Sequence, residues 1–171
     1  MNKSVAEYLL QDSGNDEFYT PHEIVESART VLGSIELDPS SCEEANRTVL
    51  AHRIFTKDDD GLSQKWVADT VWMNHPFSRI NNKLWTQKLV DEYQSGNVNE
   101  AVMICFASTS ESWFQKLYEF PICFLNKRTN FSGKKSPTKG CAVIYLGGNT
   151  QAFVDEFSKH GSVMQRLREA S

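Results

Sequence analysis

The sequence lacks most of what would tie it to a membrane or a metal. No apolar run approaches the roughly 20 residues of a membrane-spanning helix, and Met1-Asn2-Lys3-Ser4 is not followed by the apolar stretch of a secretion signal. The expectation is a cytoplasmic protein with no membrane partner. Its four cysteines, Cys42, Cys105, Cys123 and Cys141, lie far apart without a Cys-x-x-Cys pair, which argues against a zinc module or a disulfide scaffold. Cys105 and Cys123 sit in apolar runs and are expected to be buried, reduced thiols. His22 falls in the first turn of a helix, and His52 and His160 have no partners at metal-binding spacing, so no metal is expected. A basic excess is missing as well. With 18 cations against 22 acids the net charge is −4, unlike the basic domains that usually hold nucleic acid.

What is present is 171 residues of ordinary globular composition, 40% hydrophobic and 23% charged, enough for one core. The polar residues 1–17 read as an N-terminal arm, and 18–171 as one domain. Charge is unevenly placed. From Asn126 to Gly140 there are five cations (Lys127, Arg128, Lys134, Lys135, Lys139) and no carboxylate, whereas acids gather from Asp12 to Glu44 and at Asp58-Asp59-Asp60. Such a chain suits an enzyme that grips a polyanion locally, through phosphate contacts that are salt-dependent and blind to sequence.

Thr20-Pro21-His22-Glu23 has the form of a capping box, and Ile24, Val25, Ala28, Val31 and Leu32 follow at helical spacing until Gly33. Ile35-Glu36-Leu37 reads as a short strand ending at Asp38-Pro39. Ser41 with Glu44 can cap a brief helix, Val49 to Lys57 is ambiguous, and Asp60-Gly61 marks a turn. Thr70 to Met73 reads as a buried strand stopping at Asn74. A helix over Ile80–Gln94 with Leu84, Trp85, Leu89 and Tyr93 inward comes next. Then follow a strand over Ala101–Ala107, a helix from Ser110 to Tyr118 with Trp113 and Phe114 in the core, and strands over Ile122–Leu125 and Ala142–Leu146. Asn149 caps a last helix over Gln151–Lys159, ended by Gly161. Buried strands alternating with amphipathic helices predict an α/β domain built on a mainly parallel sheet flanked by helices. Such sheets bind ligands at the carboxyl ends of their strands, here Asp38-Pro39 and Asn74.

One segment carries chemistry. Val71-Trp72-Met73-Asn74-His75-Pro76-Phe77 looks like the strand-to-loop motif of amino-methyltransferases, commonly Asn/Asp-Pro-Pro and an aromatic, with His75 in place of a proline. Around it stand Phe18-Tyr19-Thr20-Pro21, Leu37-Asp38-Pro39-Ser40-Ser41 with Asn46, Phe55-Thr56 running into Asp59-Asp60-Gly61-Leu62, and Trp66. Ser112-Trp113-Phe114, Cys123-Phe124 with Arg128, and Tyr145-Leu146-Gly147 follow. In this order the series resembles the phage-type DNA N6-adenine methyltransferases over roughly residues 17 to 161.

The resemblance implies a Rossmann-like fold, S-adenosylmethionine as cofactor and DNA as partner. It also implies methyl transfer to adenine N6 by a phage or prophage enzyme that protects DNA against restriction. Adenine N6 is a poor nucleophile because its lone pair is delocalised into the ring. Acceptors that bind the amino group, here the Asn74 side-chain oxygen and the His75 carbonyl, turn that lone pair toward the methyl donor. Pro76 stiffens the turn, and Phe77 stacks on the extruded base. The cofactor is expected against Thr20, Pro21, Asp38, Pro39, Ser40 and Asp60, although Ser40-Ser41-Cys42 stands where a glycine-rich loop is usual. DNA is expected on Lys127, Arg128, Lys134, Lys135 and Lys139. The competing expectation is a catalytically impaired protein on the same fold that binds the cofactor or DNA. A metal-dependent nuclease centred on Asp58 to Asp60 is the third.

Overall fold

The computed structural model describes residues 19–131 and 139–167. The arm expected over residues 1–17, Phe18, Lys134 and Lys135 lie outside the described residues. The elements run α1 (His22–Leu32), β1 (Leu37–Asp38), α2 (Glu43–Val49), β2 (Arg53–Ile54), β3 (Ala68–Met73), α3 (Arg79–Gln94) and β4 (Val98–Phe106). They continue with α4 (Ser112–Gln115), a 3-10 turn (Lys116–Glu119), β5 (Ile122–Leu125), β6 (Cys141–Leu146), α5 (Thr150–Phe157) and β7 (Gly161–Met164).

The seven strands among the described residues join one sheet in the order β2-β1-β3-β4-β6-β5-β7, with helices flanking it. The protein is therefore an α/β structure of the kind expected for a Rossmann-like methyltransferase. Pairing is parallel from β2 through β4 and antiparallel from there through β7, so the sheet is mixed. The reason lies in the connections. A parallel pair needs a long crossover such as a helix, whereas strands joined without one turn back on each other. Among the described residues no helical crossover separates β5 from β6.

This topology sets what shares an edge. Connections leave β1 toward β2 and β3 toward β4, in opposite directions, so the crevice between the carboxyl ends of β1 and β3 is a switch point. Phe106 at the end of β4 pairs with Cys141, and Phe124 near the end of β5 pairs with Ala142. The basic β5–β6 connection thus opens on the same edge as Asn74.

The helical spacing of α1 is realised, with Ile24, Val25, Ala28, Val31 and Leu32 all buried and Gly33 closing it at φ 76°. Each of the Ile, Val and Leu side chains contributes about 1.5–3 kcal/mol of burial energy. The expected capping box does not form. Pro21 is the N-cap, extended at φ −54° and ψ 143°, which places Thr20 one residue too early to reach the helix amides. For α2 the cap is Cys42, whose sulfur accepts from the Ala45 N–H at 3.4 Å, rather than Ser41. Leu84 is 46% exposed, because Trp85, Leu89 and Val90 define the buried stripe of α3. Asn149 caps α5 as expected, accepting from the Ala152 N–H at 3.3 Å. Gly161 does more than end that helix: it opens β7, where an added Cβ would stand 2.1 Å from the Phe124 carbonyl oxygen. Cys105, Cys123 and Cys141 are buried free thiols. Among the described residues no helix is long and apolar enough to cross a membrane.

Candidate active site

A cavity of about 720 Å³ occupies the switch point. Thr20, Asp38, Pro39, Ser40, Asp60, Asn74 and Pro76 line it together. Five of the six positions expected to hold a cofactor therefore meet two of the four expected to hold the reacting group. Pro21 stands outside the lining, as the cap of α1. The volume lies within the usual range for a small-molecule site. Trp72, Trp85 and Phe55 supply apolar wall, and Asn81 and Lys57 add polar groups. Sequence spacing puts Trp72 in a strand and Trp85 in a helix core but gives no sign that both also face a cavity.

Asp38 ends β1 at 2% exposure, and its Oδ1 accepts from the Ser40 N–H at 3.1 Å. The loop behind it is tied to β2 through Phe55, whose N–H donates to the Asp38 carbonyl at 3.0 Å and whose carbonyl accepts from Ser41 at 2.9 Å. Burial pushes the Asp38 carboxyl up to about 7, against the lowering effect of the hydrogen bond from the Ser40 N–H. A carboxyl raised from 3.8 holds its proton in the folded protein after the unfolded chain has lost it. Stability therefore falls as pH rises from about 4 to 7. Asp38→Asn should in consequence melt above the wild type at pH 8, with the gap narrowing toward pH 4. Thermal melts across that range check it; a variant less stable at pH 8 contradicts it. A carboxyl that weakens its own fold when ionised is suited to a cationic partner. Beside it, Thr20 Oγ1 is buried with no hydrogen-bond partner among the described residues.

The tetrapeptide after β3 splits between two environments. Asn74 and Pro76 face the cavity, while His75 and Phe77 are buried away from it, at 1% and 4% exposure. His75 Nε2 lies 2.8 Å from Asn82 Oδ1, and burial pulls the ring down to about 4, so it is neutral at physiological pH. Phe77 packs on Phe106 at 4.6 Å, with Phe131 edge-on at 5.5 Å and the His75 ring edge-on at 5.3 Å.

Two of the three consecutive acids have distinct roles. Asp59 accepts from the Thr56 N–H and hydroxyl at 2.8 and 2.7 Å and closes a turn, which holds its carboxyl below the usual range. Asp60 takes a left-handed φ of 50° and reaches the cavity. Among the described residues no three His, Cys, Asp or Glu side chains are grouped to hold a metal. Asn46, part of the family resemblance, clamps the turn after α2, accepting from the Ala51 N–H at 2.8 Å and donating to its carbonyl at 3.2 Å.

Lys127, Arg128 and Lys139 are exposed on the β5–β6 connection. Lys139 Nζ stands 5.1 Å over the Phe106 ring, which in turn touches Phe77. A continuous path of contacts thus links the basic segment to the Asn74 loop.

No curated protein matches the chain. The family model for DNA N-6-adenine-methyltransferase (Dam) matches residues 8–155, a span that takes in the whole cavity, the Asn74 loop and the basic connection. The chain belongs to the DNA N-6-adenine-methyltransferase (Dam) family.

Proposed function

We propose that this protein transfers a methyl group from S-adenosylmethionine to adenine N6 in DNA, with its reaction centre at Asn74. The observation that carries the reading is that Asn74 and Pro76 line one cavity with Asp38, Thr20 and Asp60 at the switch point of the sheet. The residues present fit the cofactor. Asp38 suits its ammonium group, the buried Thr20 hydroxyl has a hydrogen bond to give, Asp60 can accept from its hydroxyls, and Trp72 and Trp85 offer apolar surface. When bound, S-adenosylmethionine supplies a methyl carried on a positively charged sulfur.

The protein's own part is positioning. The Asn74 side-chain oxygen and the His75 carbonyl accept from the N6 amino group, favouring a tetrahedral nitrogen whose lone pair is free to attack. Pro76 limits the motion of that loop. Phe77 stacks on the base once it leaves the duplex, a contact of about 1–3 kcal/mol, and for this the Phe131 ring at its edge must yield. Lys127, Arg128 and Lys139 hold backbone phosphates beside the opening, and Lys134 and Lys135, outside the described residues, are proposed to add to the same contact. By the family resemblance the enzyme is phage or prophage encoded and acts in the cytoplasm of a bacterial host, protecting DNA from restriction.

Labelled methyl transfer to unmethylated DNA, with digestion to nucleosides, tests the reading. N6-methyladenine is the expected product. A folded protein that binds the cofactor and yields no methylated base would instead be a binding protein on this fold. The DNA surface has its own test. Replacing Lys127, Arg128 and Lys139 by alanine should flatten the dependence of log affinity on log salt by about 0.9 for each phosphate that is no longer neutralised. An unchanged salt slope would move the DNA elsewhere.

A further inference from the structure

Asn74 and Asn81 both line the cavity, and the residue that follows each of them, His75 and Asn82, is buried behind it. The two buried side chains meet at 2.8 Å, His75 Nε2 to Asn82 Oδ1. An amide oxygen only accepts, so Nε2 carries the proton and donates, and the ring is held in one tautomer. The other ring nitrogen, Nδ1, has no hydrogen-bond partner among the described residues, which makes Asn82 the ring's polar anchor. The bond crosses from the loop after β3 to the first turn of α3. That turn is fixed independently by Ser78, whose hydroxyl accepts from the Asn81 N–H at 3.2 Å.

A residue other than proline at position 75 leaves φ free to rotate, whereas the chemistry requires the flanking Asn74 oxygen and the His75 carbonyl to stay aimed at one point. We infer that the buried His75–Asn82 hydrogen bond replaces the stiffness of a proline ring, making Asn82 a positioning residue that holds the Asn74 loop in its reactive geometry. The inference rests on the methyltransferase reading of the site. Asn82 touches neither cofactor nor base; it acts through His75. The bond also joins two walls of one cavity, the Asn74 side and the Asn81 side, so that neither moves without the other.

The test compares wild type, Asn82→Leu, which keeps the volume and removes the acceptor, Asn82→Asp, which keeps the acceptor, and His75→Pro combined with Asn82→Leu. The first readout is amide hydrogen exchange at Asn74, Phe77 and Ser78. Asn82→Leu should raise it about tenfold, the factor set by one hydrogen bond of ordinary strength, with the β4 amides unchanged. The second is single-turnover methyl transfer, which should fall about 10- to 100-fold in the same variant while cofactor affinity holds. Asn82→Asp should stay near wild type in exchange, and His75→Pro should restore both exchange and rate. Should Asn82→Leu fail to fold, Asn82→Ala replaces it. Unchanged exchange in the folded deletion variant overturns the inference, as does a loss that His75→Pro does not repair. A wild type that transfers no methyl would sink the methyltransferase reading instead, and the exchange comparison would still decide whether Asn82 holds the loop.

Discussion

Asn74→Ala should lower single-turnover methyl transfer to DNA by about 10²- to 10³-fold, the loss that follows removal of one preorganised polar group at a reacting centre. The melting temperature and the affinity for S-adenosylmethionine should stay near those of the wild type. Asn74 lies just beyond the last residue of β3, after Met73 and outside the sheet's ladder, and it is only partly buried. Its truncation therefore removes little core. The rate responds far more, because an acceptor aimed at the amino group matters most as the nitrogen becomes tetrahedral. Asn74→Asp, which keeps an acceptor, should retain more of the rate than alanine. Equal activity in wild type and Asn74→Ala would sink the mechanism, and equal loss of activity and melting temperature would make Asn74 a structural residue.

The two ends of the cavity are visible in the sequence for a physical reason. Patterns that repeat with a helix or end a strand are local, so α1, the run into Asn74 and the Asp38-Pro39 stop can be placed from spacing alone. Pairing between distant strands is not local. The two-residue strand β2 is hidden in an ambiguous stretch, and β7 is not foreseen because Gly161 reads equally well as a helix stop. Within the site, alternation along a turn decides which neighbour faces the ligand. Nothing in Asn74-His75-Pro76-Phe77 as letters says that the first and third residues face the cavity and the second and fourth the core. The partner of His75, seven residues away on a helix, emerges only when the loop and α3 are seen packed together. Thr20 is the opposite case: its motif suggests a helix cap, and the structure turns it into the cavity as a hydroxyl with no partner among the described residues.

Gly61→Ala should cost about 1–3 kcal/mol of stability, the usual penalty for overpacking, and weaken cofactor binding along with it. The position has no room for a side chain: an added Cβ would stand 2.0 Å from the Pro39 carbonyl oxygen and 2.9 Å from the Trp85 ring. The Pro39 contact is backbone, so it cannot be relieved by a rotamer change. The loop itself is held from the other side, since the Gly61 carbonyl accepts from the Trp66 indole N–H at 2.7 Å. Separation of the two segments would carry Asp60, which precedes Gly61 at a left-handed φ of 50°, away from the cavity it lines opposite Asp38. Gly148→Ala is the control, because an added Cβ there meets nothing within 4 Å, and its effect should stay within about 0.5 kcal/mol. Asp60→Gly separates the two consequences: it removes the carboxylate but accepts the left-handed φ, so it should weaken the cofactor while leaving the melting temperature largely intact. Denaturant melts and calorimetric titration with S-adenosylmethionine read both quantities. If Gly61→Ala melts with the control and binds like wild type, the close approach to Pro39 is not what sets Asp60 in place. If it loses stability and affinity together while Asp60→Gly loses affinity alone, the close packing of Gly61 is what brings the acidic turn onto the carboxyl end of β1.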